Sequence, residues 1–301
     1  MSNFLVIFEE KEGTSHLMVL LDHFTGISVV HQTDDYGWEP FDVHLHQDLS
    51  TNALMKCLKY VYASGNNDFD ELNRLYTRTA ERPLEFFDRN DDVGLKIRFN
   101  PPPEPGFLYR TVASLPWLGP AWAKQLDIDR RYYQHRLFSL LRRNKVVVLF
   151  AVRQDLFRWG LSKYHGDGTG QEGHLQFALA DGKIDASEVP SIEVDPDKFR
   201  KVINDCHQNM KLKKHLMRLM ERAGIKTSAI IYEDYLSDPY SYFHKLMGAI
   251  NHPVTDAEIE AALQQGSWLK KVHSHDISNF VSNHREIEAE FGDCAIEFEQ
   301  L

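Results

Sequence analysis

The stretch "FLVIFEEKEGTSHLMVLLDHF", residues 4–24, decides the fold prediction for this chain. The apolar run at 3–8 predicts a buried strand. After a charged segment, apolar side chains recur at helical spacing, at Leu17, Leu20, Leu21 and Phe24. Thr14 or Ser15 is placed to cap that helix through its side-chain oxygen. The chain therefore opens with a strand-loop-helix unit, and its loop reads Lys-Glu-Gly-Thr-Ser at 11–15.

Strands and helices are predicted to alternate through the rest of the chain. The strands are "TGISVVHQ" (25–32), "VGLKIRF" (93–99), "KVVVLFAVR" (145–153) and "KTSAIIYED" (226–234). The helices are 50–64, 68–80, 130–143, "QDLFRWGLSKYHG" (154–166), 196–223 up to Gly224, and 239–250. This alternation predicts an α/β fold with a central parallel sheet flanked by helices. In such sheets, ligands bind beyond the carboxyl ends of the strands.

Length and composition fit one elaborated domain. The chain has 301 residues, of which 43% are hydrophobic and 26% are charged, as in ordinary globular proteins. We predict a single domain over 1–301, with a variable helical or loop insertion at about 50–140 and a mobile segment at about 165–195. Within the insertion, the Pro-rich and aromatic stretch at 101–130 favours a loop or lid.

Charge and targeting signals limit the partners. The formal net charge of -10 argues against a nucleic-acid partner, which needs a basic surface. No run approaches the roughly 18 apolar residues of a membrane span, and the N-terminal residues lack the pattern of a signal peptide. We therefore expect a cytoplasmic protein without a membrane span. Cys57, Cys206 and Cys294 lack CxxC spacing, so we expect reduced thiols.

The loop at 11–15 has the residue types that hold a phosphate. A helix N-terminus offers unpaired backbone N–H groups and the positive end of its dipole. Gly13 would allow close backbone approach, Lys11 would supply positive charge, and Thr14 and Ser15 would supply hydroxyl donors. The pattern GxxxxGK[ST] is absent, which disfavours a nucleoside triphosphate site. Taken alone, the loop is more simply read as a capped strand-helix turn with a solvated lysine.

Three further motifs follow the opening loop, and their order along the chain is informative. They are "GWEPF" (37–41), "VVVLFAVRQDLFRWGLSKYH" (146–165), and "IIYEDYLSDPYSYFHKLMGAINHP" (230–253) with "ISNFVSNHREI" (277–287) behind it. With the opening loop, this series resembles the sulfotransferases that use 3'-phosphoadenosine 5'-phosphosulfate (PAPS). The resemblance spans most of the chain, although 50–140 and 165–195 match no segment of that family.

The resemblance implies a P-loop-nucleotide-binding-like sulfotransferase fold and a set of roles. PAPS would be the co-substrate and 3'-phosphoadenosine 5'-phosphate (PAP) the product, with no metal. The loop residues Lys11, Glu12, Gly13, Thr14 and Ser15 would hold the 5'-phosphosulfate. Lys11 would also stabilise the leaving charge, and Glu39 would be the base. Arg153 and Ser162 would bind the 3'-phosphate, the arginine as a bidentate fork.

The identity of the base stays open at this point. Glu39 has apolar neighbours that could raise its pKa, as a carboxylate base requires, but a Glu-Pro turn facing water is the plain alternative. Histidine is a common base, and His31, His44 and His46 lie near in sequence. The His44/His46 and His273/His275 pairs lack a spaced third ligand, so no metal is expected.

Two departures from the family pattern leave other functions open. The family usually has a small residue at the position of Glu12, whose charge, like that of Glu9 and Glu10, would oppose a phosphate unless the side chain points outward. Arg153 and Ser162 are nine residues apart instead of eight, so Arg158 is an alternative 3'-phosphate ligand. Plain structural alternatives are an ion pair of Arg153 with Asp155 and a helix-capping Ser162. A catalytically impaired nucleotide-binding homologue and a small-molecule kinase therefore remain as alternatives.

The acceptor is described only by class. The resemblance implies transfer to a hydroxyl or amine of a small molecule, sugar or lipid. The 101–122 loop is rich in aromatic residues that could line a pocket for an apolar or sugar-faced alcohol: Phe107, Tyr109, Trp117 and Trp122. Lys270, Lys271 and His273 could fold over the nucleotide as a lid, although a solvated face is the simpler reading. Oligomeric state is not readable from the sequence.

Overall fold

The computed structural model describes residues 2–9, 12–31, 58–62, 91–98, 135–169, 191–266 and 276–300. Several sequence predictions lie outside these residues: those for Lys11, Glu39, His44, His46, the helix at 68–80, the aromatic loop at 101–130, most of the segment at 165–195, and the lid residues Lys270, Lys271 and His273. Within the described ranges, no helix is both long and apolar enough to cross a membrane.

The centre of the fold is a five-stranded parallel sheet. Its strands are β1 (Phe4–Phe8), β2 (Ile27–Val29), β3 (Asp92–Arg98), β4 (Val147–Val152) and β5 (Thr227–Ile231). Their order across the sheet is β2-β3-β1-β4-β5, and every pairing is parallel. The predicted α/β class with a central parallel sheet is confirmed.

Helices flank the sheet. They are α1 (Thr14–Leu21), α2 (135–143), α3 (Leu156–Thr169), α4 (Pro196–Arg222), α5 (Tyr232–Ser237), α6 (Pro239–Ala249), α7 (Asp256–Gln265) and α8 (His284–Phe291). Residues 58–62 are also helical, and two short 3-10 helices lie at Ile277–Asn279 and Phe298–Gln300.

The alternation of side chains along β1 builds a core on each face of the sheet. Leu5 and Ile7 pack on one side with α2 and the end of α4, whereas Phe4, Val6 and Phe8 pack on the other with α1, α6 and α7. All six residues of β4 are buried, as expected for a central strand covered on both faces. A third apolar cluster joins α3, α4 and α8.

The strand order creates a crevice between the carboxyl ends of β1 and β4. From β1 the chain runs through α1 to β2 on one side of the sheet, and from β4 it runs towards β5 on the other. Adjacent strands whose connections diverge in this way leave an opening at their carboxyl ends, where α/β proteins bind ligands. The loop before α1 and the residues after β4 both border this crevice.

Three local predictions need correction. β5 ends at Ile231, and Tyr232-Glu-Asp forms the first turn of α5 instead of continuing the strand. No side chain caps α1: its cap residue is Gly13, in a left-handed conformation. α1 also ends at Leu21, before Phe24, although Phe24 is buried in the same core.

Candidate functional site

Gly13 shapes the loop that enters α1. Its φ of 78° lies in the left-handed region, which favours glycine. A Cβ at this position would lie 2.7 Å from Cε2 of Tyr232, so the neighbouring aromatic ring also requires glycine. The first helical bond runs from the Leu17 N–H to the Gly13 carbonyl at 3.2 Å. With no side-chain cap, the first-turn N–H groups of α1 are left to another acceptor, as an anion site requires.

Arg153 and Ser162 come together after β4. Nη1 of Arg153 lies 3.4 Å from Oγ of Ser162, so the nine-residue spacing does not separate them. Neither an ion pair between Arg153 and Asp155 nor a helix-capping Ser162 is observed. Asp155 binds the backbone N–H and the guanidinium of Arg158, at 2.8 and 3.6 Å, and Ser162 lies inside α3, where its hydroxyl donates to the Arg158 carbonyl.

Tyr232 connects these two parts of the site. Its ring lies against the Cα side of Gly13, and the Arg153 guanidinium sits 5.1 Å from the ring centroid, in a cation–π geometry. Burial raises the pKa of the Tyr232 phenol, while the nearby Arg153 opposes the shift. Gly13 and Arg153 therefore lie against the same aromatic side chain, which brings the loop before α1 close to the Arg153–Ser162 pair.

Glu9 and Glu12 both point into the protein, so the outward orientation that would keep their charge away from a phosphate is not observed. The Glu12 side chain is 0% exposed, and its carboxylate accepts the Glu9 N–H at 2.6 Å and the ammonium of Lys213, also at 2.6 Å. The Glu9 carboxylate accepts from Nδ2 of Asn209 at 2.9 Å and lies 3.4 Å from Nζ of Lys163. Each carboxylate is thus matched by a lysine.

The Glu12–Lys213 pair is fully buried, and this shifts both pKa values. Burial raises the pKa of Glu12 to about 7, although the charge and hydrogen bonds of Lys213 act in the opposite direction. Burial likewise lowers the pKa of Lys213, against the attraction of Glu12. Desolvation disfavours the charged form of each group, which is the cause of both shifts.

Three lysines of the site were missed by sequence reasoning. Lys96 is 2% exposed on β3, and its ammonium donates to Oγ of Ser15 at 3.1 Å. Lys163 and Lys213 hold the loop carboxylates. Only Lys213 had a usable signal, because it falls on the buried stripe of α4: Phe199, Ile203, Cys206, Met210, Lys213 and Met220. A lysine at core spacing indicates a buried partner.

Two further groups restrict what the crevice can do. The Glu233 carboxylate accepts the N–H groups of Gln154 and Asp155 at 3.0 and 3.1 Å, so the start of α3 already has an anionic acceptor. An anion near Arg153 would therefore be held by side chains. His31 is buried 3.6 Å from Asp22, the residue that ends α1. Its place at the far end of that helix gives no support to His31 as the base.

Comparison with known proteins adds little to this geometry. No family model matches the sequence, and no relative was found among curated proteins. A search of solved structures matches the crystal structure of the sulfotransferase STF9 from Mycobacterium avium, with 10% identity over 97% of this chain and 75% of that one, at a TM-score of 0.37. A likeness of this strength supports no statement about function. The functional argument therefore rests on the residues of the crevice.

Proposed function

We propose that this protein is a PAPS-dependent sulfotransferase that moves a sulfuryl group to a hydroxyl or amine of a small-molecule, sugar or lipid acceptor. One observation carries the proposal. The described part of the opening loop, residues 12–15, and the Arg153–Ser162 pair lie far apart in the sequence but border the same crevice, and Gly13 and Arg153 both lie against Tyr232.

The described residues fit the two phosphate groups of PAPS. The first-turn N–H groups of α1, with the hydroxyls of Thr14 and Ser15, would hold the 5'-phosphate. The Arg153 guanidinium and the Ser162 hydroxyl, already 3.4 Å apart, would hold the 3'-phosphate. PAPS, when bound, supplies the sulfuryl group together with a phosphate leaving group.

The chemical roles follow from the charge that develops during transfer. Cations near the departing phosphate stabilise it, and Lys11 is assigned this role from the sequence. Lys96, buried and hydrogen-bonded to Ser15, adds a second positive charge beside the loop. Glu39 is assigned as the base that accepts the acceptor proton, a contribution typically worth roughly 10²–10⁴-fold.

The charge balance of the loop favours an active enzyme over an impaired homologue. The objection to activity was that Glu9 and Glu12 would repel the phosphate. Both carboxylates instead bind lysines, Lys163 and Lys213, within 3.4 Å or less. Their paired charge opposes an anion less than two free carboxylates would, because the net charge of each pair is zero.

Calorimetric titration with PAP tests the proposal, with ATP and AMP as competitors. We expect binding that neither competitor matches, since neither has a 3'-phosphate. Arg153→Met should weaken PAP binding at least tenfold and leave AMP binding unchanged, because the lost contact is to the 3'-phosphate. Arg218→Met, an exposed arginine on α4, is the matched control and should bind PAP as the wild type does.

The same titration separates the alternatives. Arg158→Met decides whether Arg158 shares the 3'-phosphate, because only a ligand would lose affinity when truncated. Tighter binding of ATP than of PAP would favour the kinase. The impaired homologue would be favoured if the wild type binds PAP but transfers no sulfuryl group to any acceptor class, and if Lys11→Ala behaves in the same way. No PAP binding by the folded wild type would refute the proposal.

A further inference from the structure

One buried lysine joins the two strand ends that border the crevice. Lys213 lies on α4, and its side chain is 0% exposed. Its ammonium donates to Oε1 of Glu12 at 2.6 Å, in the loop after β1. It also donates to the Ala151 carbonyl at 2.9 Å, one residue before the end of β4. A single cation therefore binds both sides of the crevice.

The Glu12 carboxylate passes this restraint to the loop. Oε2 of Glu12 accepts the Glu9 N–H at 2.6 Å, which links the residue after β1 to the residue before Gly13. Glu12 thus ties the loop to itself and, through Lys213, to β4. Because Gly13 begins α1, the position of the first-turn N–H groups depends on this restraint.

One face of α4 serves both loop carboxylates. Asn209 and Lys213 are four residues apart, so their side chains lie one above the other on the helix. Asn209 donates to Glu9 at 2.9 Å, and Lys213 donates to Glu12. Lys163 of α3 completes the set beside Glu9. Both lysine ammonium groups also lie over the buried Trp159 ring, at 5.5 Å from its centroid for Lys163 and 5.8 Å for Lys213. The other buried positions of α4 are mainly apolar.

We infer that Lys213 is a positioning residue for the anion-binding loop. By binding Glu12 and Ala151 together, it fixes the start of α1 against the end of β4 and compensates a carboxylate that would otherwise oppose a bound phosphate. The effect on loop position stands by itself, whereas the effect on nucleotide affinity rests on the proposed function.

Hydrogen exchange in the ligand-free protein tests the effect on loop position. The reporters are the Glu9 amide, which is bonded to the Glu12 carboxylate, and the Leu17 amide, which makes the first bond of α1. Lys213→Met should speed the exchange of both at least tenfold, measured by NMR. The Val148 amide, bonded across the sheet to the Lys226 carbonyl, reports global unfolding, and in Lys213→Met the Glu9 and Leu17 amides should exchange faster than Val148, as local opening requires.

Three variants serve as controls. Lys211→Met, at an exposed position two residues away on α4, should leave every amide unchanged. Glu12→Gln/Lys213→Met removes both charges and should recover stability, because no unpaired carboxylate is left, but Leu17 should still exchange faster than in the wild type, because the bonds from Lys213 to Glu12 and Ala151 are also lost. If Lys213→Met does not fold, Glu12→Gln carries the test: it keeps the ammonium but weakens the bond, and Leu17 should still exchange faster.

PAP affinity then tests the second half of the inference. Lys213→Met should weaken PAP binding at least tenfold in the folded fraction, and the double variant should regain a large part of it. A residue that only stabilises the fold would lower the unfolding midpoint and leave affinity unchanged. Wild-type exchange at Glu9 and Leu17 in a folded Lys213→Met or Glu12→Gln protein would overturn the inference. Absence of PAP binding in the wild type would refute the proposed function and leave the exchange result intact.

Discussion

At the amino ends of the strands and at their carboxyl ends, the sheet buries charge in different ways. At the amino end, Asp92 accepts the Ser2 N–H and pairs with His252, which joins β3 to the start of the chain and to the residues after α6. At the carboxyl end, the buried Lys213 and the partly buried Lys163 pair with carboxylates in a loop whose helix has no side-chain cap. Both arrangements hold segments together, but only the second leaves backbone donors for an anion.

The difference suggests a rule for this fold. Charge at the amino end contributes to stability alone, whereas charge at the carboxyl end contributes to stability and to the shape of the crevice. Substitutions at the two ends of the strands should therefore affect the free energy of unfolding and PAP binding differently. Stability should respond at both ends, and PAP binding only at the carboxyl end.

The largest effect on stability is expected from Lys213→Met. The variant leaves the Glu12 carboxylate buried without a partner, and such a loss typically costs about 3–5 kcal/mol in the free energy of unfolding. Urea unfolding at pH 8 would measure it, because wild-type Glu12, with a pKa of about 7, is ionised there. Lys213 lowers that pKa, so in the variant Glu12 takes up a proton more readily, which limits the loss. Glu12→Gln/Lys213→Met should recover most of the loss. A double-mutant cycle with near-zero coupling would show that the two charges do not depend on each other.

The pH dependence of stability should carry the signature of Glu12. Burial raises its pKa from 4.5 to about 7, so the folded protein binds this proton more tightly than the unfolded chain. The stability that this proton contributes is complete below pH 4.5 and is lost as the pH rises to about 7. The loss corresponds to about 3 kcal/mol of unfolding free energy relative to Glu12→Gln.

The surrounding groups keep this signature readable. Lys163 and Glu9 face the Glu12–Lys213 pair, and burial raises the pKa of the nearby Cys206 thiol to about 12, so the thiol stays neutral. In Glu12→Gln, burial still disfavours the charged Lys213, so the stability of this variant rises with pH. The fall of wild-type stability relative to Glu12→Gln is therefore steeper. Wild-type stability that rises relative to Glu12→Gln between pH 5 and 7 would contradict the assignment.

Gly13→Ala should have a smaller effect on stability and a clear effect on binding. The left-handed backbone costs an alanine roughly 1–2 kcal/mol, and its Cβ would meet the Tyr232 ring. Thermal unfolding and PAP titration measure the two consequences, and we expect at least tenfold weaker binding. Gly248→Ala in α6 is the matched control, because no atom lies within 4 Å of its Cβ and alanine favours a helix. Equal behaviour of the two variants would remove Gly13 from the site.

The sequence was sufficient for the sheet because its signals are local. Continuous apolar runs mark β1 and β4, and Gly224 ends α4 with a φ of 76°. The strand predicted to run through Tyr232 failed because the Glu233 carboxylate bonds to the backbone after β4, a contact between residues 78 and 79 positions apart. The chain turns into α5 at this contact, and the local sequence pattern does not predict a contact between such distant residues.

The candidate site divides along the same line. Gly13 was predicted from the loop between the first strand and helix, and Arg153 and Ser162 from the resemblance of the segment after β4 to a family motif. The Glu12–Lys213 bond joins residues 201 positions apart, so its existence depends on how α4 packs. The sequence left the orientation of Glu12 open, because repulsion alone says only that an inward carboxylate would oppose a phosphate. The missing information was a partner on a distant helix.

Asp92→Asn should have the smallest effect on the free energy of unfolding, and it tests the difference between the two ends of the sheet most directly. The amide keeps the shape of the side chain but loses the charge that pairs with His252 at 2.9 Å, which should cost about 1 kcal/mol of unfolding free energy. Asp256→Asn, which breaks the exposed pair with His244, is the matched control and should cost at most about 0.5 kcal/mol. PAP affinity should stay at the wild-type value in both variants, because β3, with seven residues at roughly 3.3 Å each, separates Asp92 from the crevice by more than 15 Å. A loss of PAP affinity in Asp92→Asn that is absent from Asp256→Asn would mean that the amino end also shapes the crevice, and the division between the two ends of the sheet would be wrong.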